Sequence, residues 1–192
     1  AIEETIAACL MKTADVEFVA EDATRSDHAF LYRAIRTAIA AGAKTVTLCD
    51  ATGTILPDEL GAFLDALHEN VAELKNVTLG LSCLNELAMA DACAIEAIKH
   101  GVREIKAAAY QINQVSLSNV ARLLAAKGDM WGVSCPVRTV EMNRIVKQIA
   151  WMCETRRSKN SPFDNGVAEI IPFALSLSFQ YLVPAISTGT TS

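Results

Sequence analysis

Asp15-Val-Glu-Phe-Val-Ala-Glu-Asp-Ala-Thr-Arg-Ser-Asp27 is the stretch on which the fold turns. Val16, Phe18 and Ala20 alternate with other side chains, the period-two signature of a strand. At Glu21 the pattern breaks into Asp22, Thr24 and Arg25, and Ser26 or Asp27 can cap a following helix. The segment reads as strand, polar tip, helix. In parallel α/β sheets, ligands gather at the carboxyl ends of the strands, where loops place polar groups around one crevice. Two carboxylates, a hydroxyl and a guanidinium at such an end make it the leading candidate site.

Upstream, residues 2–13 predict a helix with Ile2, Ile6, Cys9 and Leu10 on one face. It begins without a cap, as if cut from a longer chain. Downstream, residues 27–41 predict a helix with Leu31, Ala34, Ile35, Ala38 and Ile39 inward, closed by Gly42. Thr45–Cys49 is a β-branched strand whose tip is Asp50-Ala-Thr-Gly53. Pro57, Asp58 and Glu59 suit the first turn of a third helix. Its inner face is Leu60, Phe63, Leu64, Leu67 and Val71. Val77–Leu81 is a third strand with the tip Ser82-Cys-Leu-Asn-Glu86, then a helix from about Asn85 to His100, ended by Gly101. Glu104–Ala109 is a fourth strand with its tip at Tyr110–Gln114, then a helix over 116–127 ended by Gly128.

These units repeat. Ala38–Val46 matches Ala97–Ile105 in spacing, and Asp22-Ala-Thr returns as Asp50-Ala-Thr. Strands alternating with amphipathic helices imply βα units and a parallel sheet. Right-handed crossovers then leave an open doubly wound sheet or part of a (β/α)₈ barrel. A glycine-rich dinucleotide fingerprint and a P-loop are both absent from the sequence, which disfavours nucleotide binding. The expected organisation is a domain of βα units over 1–132, a helix and loop packed on it over 133–168, and an apolar tail over 169–192. The helix runs from Thr139 to about Arg157 and buries Val140, Ile145, Val146, Ile149 and Met152. Pro172 and Pro184 interrupt the tail, which is expected to pack on the domain or end in disorder rather than span a membrane.

A net charge of −5 gives no reason to expect nucleic acid or an anionic membrane as partner. The six cysteines have no C-x-x-C spacing and read as reduced, mostly buried thiols of a cytoplasmic protein. No signal peptide is visible.

Val16–Arg25, with its E-D-A-T-R core, resembles the fifth-strand motif of the isopropylmalate, homocitrate and citramalate synthase family. That family belongs with the hydroxymethylglutaryl-CoA lyases among metal-dependent TIM barrels. Asp50-Ala-Thr-Gly53 followed by Pro57-Asp-Glu resembles the family's D-T-V-G tip. Leu81–Ala90 sits where it has V-H-C-H-N-D-x-G-x-A, and Gln111–Asn119 where it has N-G-x-G-E-R-A-G-N. The resemblance covers residues 1–157 and implies an α/β chain supplying strands five to eight of a TIM barrel, with residues 1–132 as half of that barrel, followed by a C-terminal helix and tail. Such a chain is a fragment, or pairs as a homo-oligomer or with the missing barrel half.

The resemblance also implies chemistry: carbon–carbon bond formation or cleavage, of aldol or Claisen type, between an acyl-CoA and a 2-oxo acid. A divalent metal (Mg, Mn or Zn) would polarise the oxo-acid carbonyl. Catalytic candidates are Glu21, Asp22 and Asp50. Substrate-binding candidates are Arg25, Thr52 and Gln111; metal-ligand candidates are Asn119 and Glu86. The family's two metal-binding histidines fall on Ser82 and Leu84, and its carboxylate-binding threonine falls on Ala51.

Three readings follow. One is an enzyme in which Glu21, Asp22, Asp50, Glu86 and Asn119 form an oxygen-rich metal set, suited to Mg²⁺ or Mn²⁺. Another is a Schiff-base aldolase using Lys106. The third is a catalytically degenerate paralogue with a structural or regulatory role. Structural alternatives stand beside each residue: an Asp22–Arg25 network, Asp50 capping a turn, Asn85 as helix N-cap, Glu86 favourable to a helix dipole, Asn119 on a helix surface. Cys83 reads as a small core residue and the histidines as surface or helix-end residues. Tyr110 either lines or fills the pocket.

Overall fold

The β-branched strands and amphipathic helices wind into a parallel sheet that follows chain order. The computed structural model describes residues 1–109, 113–152 and 177–180. Strands β1 (Glu17–Ala20), β2 (Thr45–Asp50), β3 (Thr78–Cys83) and β4 (Glu104–Ala107) pair parallel in the order 1-2-3-4. Helices α1 (Ile2–Leu10), α2 (His28–Ala40), α3 (Pro57–Asn70), α4 (Ala90–Lys99), α5 (Leu117–Lys127) and α6 (Thr139–Met152) accompany them. A fifth strand, β5 (Leu177–Gln180), lies antiparallel against β4. It places four residues of the expected tail on the sheet. The parallel part is four βα units of a TIM-type barrel.

Alternation along the strands sorts the side chains. Val46, Leu48, Leu79, Leu81 and Ile105 join Leu31, Ile35, Leu60, Leu64, Leu67 and Leu124 in one apolar core. Each fully buried aliphatic side chain there contributes about 1.5–3 kcal/mol of transfer free energy. The opposite register positions carry Glu17, Thr47, Gly80, Glu104 and Lys106. Helix ends follow the expected chemistry. Asp27 accepts from the Phe30 amide at 2.8 Å, and Glu59 accepts from the Leu56 amide at 3.0 Å. Gly42 turns out of α2 at φ +105° and Gly101 out of α4 at φ +89°.

Several boundaries differ from expectation. Only Ile6 of the α1 face is buried, while Cys9 and Leu10 stay exposed, because α1 packs chiefly on α2. β1 starts at Glu17 rather than Asp15. The helix expected from Asn85 starts at Ala90. Backbone bonds from Leu84 to Asp50 and from Leu87 to Gly53 hold the intervening loop on β2, and Ala88 turns left-handed at φ +58°. Asn85 still acts at the helix start, its side chain accepting from the Ala90 amide at 2.9 Å. Gly128 keeps an ordinary helical conformation, and the left-handed turn falls at Gly132. In α6, Val140, Ile145 and Met152 are exposed and Met142 is buried, because the helix rests on α5 by a narrow stripe. Residues 153–157 of that expected helix, and the loop over 158–166, lie outside the described residues. No described helix is long and apolar enough to cross a membrane.

Candidate functional site

Asp50 closes β2 and is only 2% exposed. Burial of a carboxylate is costly unless donors replace its water. Here its Oδ1 accepts from the Thr52 amide at 3.2 Å, the Thr52 hydroxyl at 2.9 Å and the Thr24 hydroxyl at 3.4 Å. The Cys83 thiol reaches Oδ2 at 3.6 Å. One buried carboxylate thereby ties together the tips of β1, β2 and β3. The Thr52 hydroxyl also meets that of Thr54 at 2.8 Å. Cys83 pairs with Cys93 of α4, and this hydrogen bond, then burial and the Asp50 charge, push its thiol far above the ordinary range.

At the β1 tip, Asp22 adopts φ +52°, a left-handed conformation that Asp tolerates. Arg25 grips its carboxylate with two bonds, Nε at 2.9 Å and Nη2 at 2.5 Å. That grip holds the Asp22 carboxyl below its usual range. Glu21 beside it is exposed and makes no hydrogen bond or ion pair among the described residues. Its charge helps to lift the neighbouring Cys49 thiol to about 11, an effect led by burial and opposed by a hydrogen bond with Ser82.

Glu86 and Asn119 make contacts apart from these tips. Glu86 accepts from the Asn113 amide group. Asn119 donates to Asp91 at 2.6 Å, and the other Asp91 oxygen accepts from the Ser116 amide at 2.7 Å. Asn119 lines a groove of about 670 Å³ that Asp91, Leu123 and Thr139 also border. No described contact joins Glu86 or Asn119 to Glu21, Asp22 or Asp50. Gln111 and Tyr110 lie outside the described residues.

Among the described residues no three His, Cys, Asp or Glu side chains come together as a metal cage. The oxygen-rich set therefore does not fit a divalent ion. The histidines serve helix contacts: His100 bonds Asp65 at 2.7 Å and Glu96 at 3.3 Å, His68 meets the His100 carbonyl, and His28 packs on Phe63. Lys106 does not stand as a Schiff-base nucleophile. Burial opposes its charge, but the hydrogen bonds it donates to Glu104 and Glu17 outweigh burial and hold the ammonium above its usual range, whereas such a nucleophile must be neutral.

Sequence reasoning overlooked Thr24 as a partner of Asp50, Cys93 as a partner of Cys83, and Asp91 as the anchor of Asn119. It also overlooked the pairing of Glu17 and Glu104 with Lys106. Charged residues inside strand patterns were the available signal for that last group.

Comparison with known proteins now bears on this geometry. The HMGL-like family model matches residues 1–150. The chain belongs to the HMGL-like family. It is 37% identical over 124 residues to the 2-isopropylmalate synthase of Aquifex aeolicus, an alignment covering 62% of this chain and 24% of that protein. It is 39% identical over 119 residues to a probable 2-isopropylmalate synthase of Glycine max, covering 60% and 21%. The chain thus spans about a quarter of the length of these curated relatives. Among solved structures, it superposes on an HMG-CoA lyase of A. baumannii in complex with coenzyme A and 3-methylmalate, with a TM-score of 0.63. That match has 11% identity and covers 83% of this chain and 58% of the lyase, a likeness of fold. The HMGL-like assignment agrees with the resemblance carried by the strand-tip motifs.

Proposed function

We propose that this HMGL-like chain serves carbon–carbon bond formation or cleavage between an acyl-CoA and a 2-oxo acid, in the manner of 2-isopropylmalate synthase. The observation that carries the reading is Glu21. It is a carboxylate at a strand tip with no hydrogen bond or ion pair among the described residues, and Thr24 of the same tip carries a hydroxyl that the buried Asp50 holds in place. Glu21 is assigned the proton at the carbon next to the thioester carbonyl, a general-base role. Thr52 and Arg25 are assigned the carboxylate of the oxo acid. Asp50, a catalytic candidate by its sequence position, is better suited by burial to positioning Thr24 and Thr52. The described donors do not form a divalent-ion cage, and the proton transfer assigned to Glu21 is not routed through one.

A second reading, a degenerate paralogue with a structural or regulatory role, is favoured by Ser82 and Leu84 at the positions where the family resemblance expects imidazoles. Thiol release from acetyl-CoA across a panel of 2-oxo acids separates the two. On the enzyme reading, Glu21→Gln lowers turnover by about a hundredfold or more and leaves the melting temperature unchanged. A folded wild-type chain that releases no thiol with any oxo acid would favour the degenerate paralogue.

A further inference from the structure

Three charged side chains that the tip chemistry does not use meet on the inner face of the sheet. Lys106 Nζ of β4 lies 2.9 and 3.0 Å from the two carboxylate oxygens of Glu17 on β1. The same ammonium is paired with Glu104. Thr47 of β2 donates its hydroxyl to Glu17. The Glu104 side chain is 5% exposed, Lys106 15% and Glu17 32%.

The geometry of this contact is informative. Two strands separate β1 from β4. In a flat sheet their axes would be roughly 14 Å apart, and side chains standing up from the surface would not meet. The pair therefore exists because the sheet curves. Gly80 occupies the row between Thr47 and Glu104. A Cβ there would stand 2.4 Å from the Thr47 hydroxyl, so bare backbone at Gly80 leaves the network its room. Two carboxylates meet at the ammonium and the Thr47 hydroxyl braces one of them, a hard-oxygen environment of the kind a divalent cation takes. Here an ammonium fills it.

We propose that the Lys106 ammonium is the built-in cation of this inner face, drawing Glu17 and Glu104 together across the curved sheet in place of a divalent ion, so that the fold requires no metal. The inference holds whether or not the tips catalyse the proposed reaction. Its consequence is specific: without the ammonium, Glu17, Glu104 and Thr47 become a vacancy for Mg²⁺ or Mn²⁺.

The test is thermal melting and calorimetric titration of the full chain with MnCl₂. Wild type is expected to melt at one temperature with excess EDTA or excess Mn²⁺ and to bind no ion on this face. Lys106→Ala is expected to melt about 5–10 °C lower, to bind one Mn²⁺, and to regain at least half of the loss when it does. Lys106→Arg should stay near wild type. Should Lys106→Ala fail to fold, the triple variant Glu17→Gln/Glu104→Gln/Lys106→Gln removes every charge of the network, and a recovered cooperative melt supports the proposal. A wild type destabilised by EDTA would overturn it. So would a Lys106→Ala chain as stable as wild type, one destabilised yet indifferent to Mn²⁺, or a triple variant that also fails to fold.

Discussion

Asp50 shows burial converting a strand-end carboxylate from a reactant into a scaffold. Its oxygens are occupied by Thr24, Thr52 and Cys83, while the exposed Glu21 keeps both of its own. The cysteines obey the same logic. Cys49 is buried and its thiol is pushed up to about 11, so its thiolate fraction stays negligible at neutral pH. Because the folded state holds this proton more tightly than the unfolded chain, the associated stability is complete below about pH 9 and declines as pH rises towards 11. Alkylation with iodoacetamide at pH 8, mapped by mass spectrometry, should label the exposed Cys9 quickly. Cys49, Cys83 and Cys93 should react only after denaturation; fast labelling of Cys49 in the folded chain would contradict its burial.

The elements are joined through their loops. The β2–α3 and β3–α4 connections touch at Gly53, whose φ is +64° and whose absent Cβ would lie 2.7 Å from the Leu84 carbonyl group. Gly53→Ala combines a left-handed backbone penalty with a clash against backbone that cannot rotate away. Urea denaturation should show a loss of about 2–3 kcal/mol. The expected helix start at Asn85 failed for a related reason. Local pattern favoured helix there, but the backbone bonds of Leu84 and Leu87 to β2 outweigh one turn of helix, a competition no local window contains. Helix α6 carries the same lesson. Its apolar periodicity was legible, yet Val140 is exposed and Met142 buried, because the partner helix decides which stripe is covered.

At the scale of the molecule, the chain is an open arc of a barrel. β5 covers the outer edge of β4, whereas β1 has no strand on its outer side among the described residues. An unpaired edge is a template for another chain. We propose that a second copy of the chain pairs there. Sedimentation of the purified chain at micromolar concentration should then give a mass above the 20.6 kDa monomer, and disperse monomer at every concentration would argue against it.

Much of this protein follows from its sequence alone. Alternation in Val16–Ala20, the helical spacing of Leu60, Phe63, Leu64 and Leu67, and the glycines at 42 and 101 are local signals, readable because each element must bury one side and end somewhere. They carried the succession of strands and helices, the parallel sheet and the tip position of Glu21, Asp22 and Asp50, while the order of the strands across the sheet was left to the tertiary structure. Only tertiary structure decided which carboxylates are spoken for. Asp50 and Thr24 are 26 residues apart, and Lys106 is 89 residues from Glu17. Such pairings depend on loop closure and sheet curvature, which bring distant positions together without leaving a periodic trace in the chain.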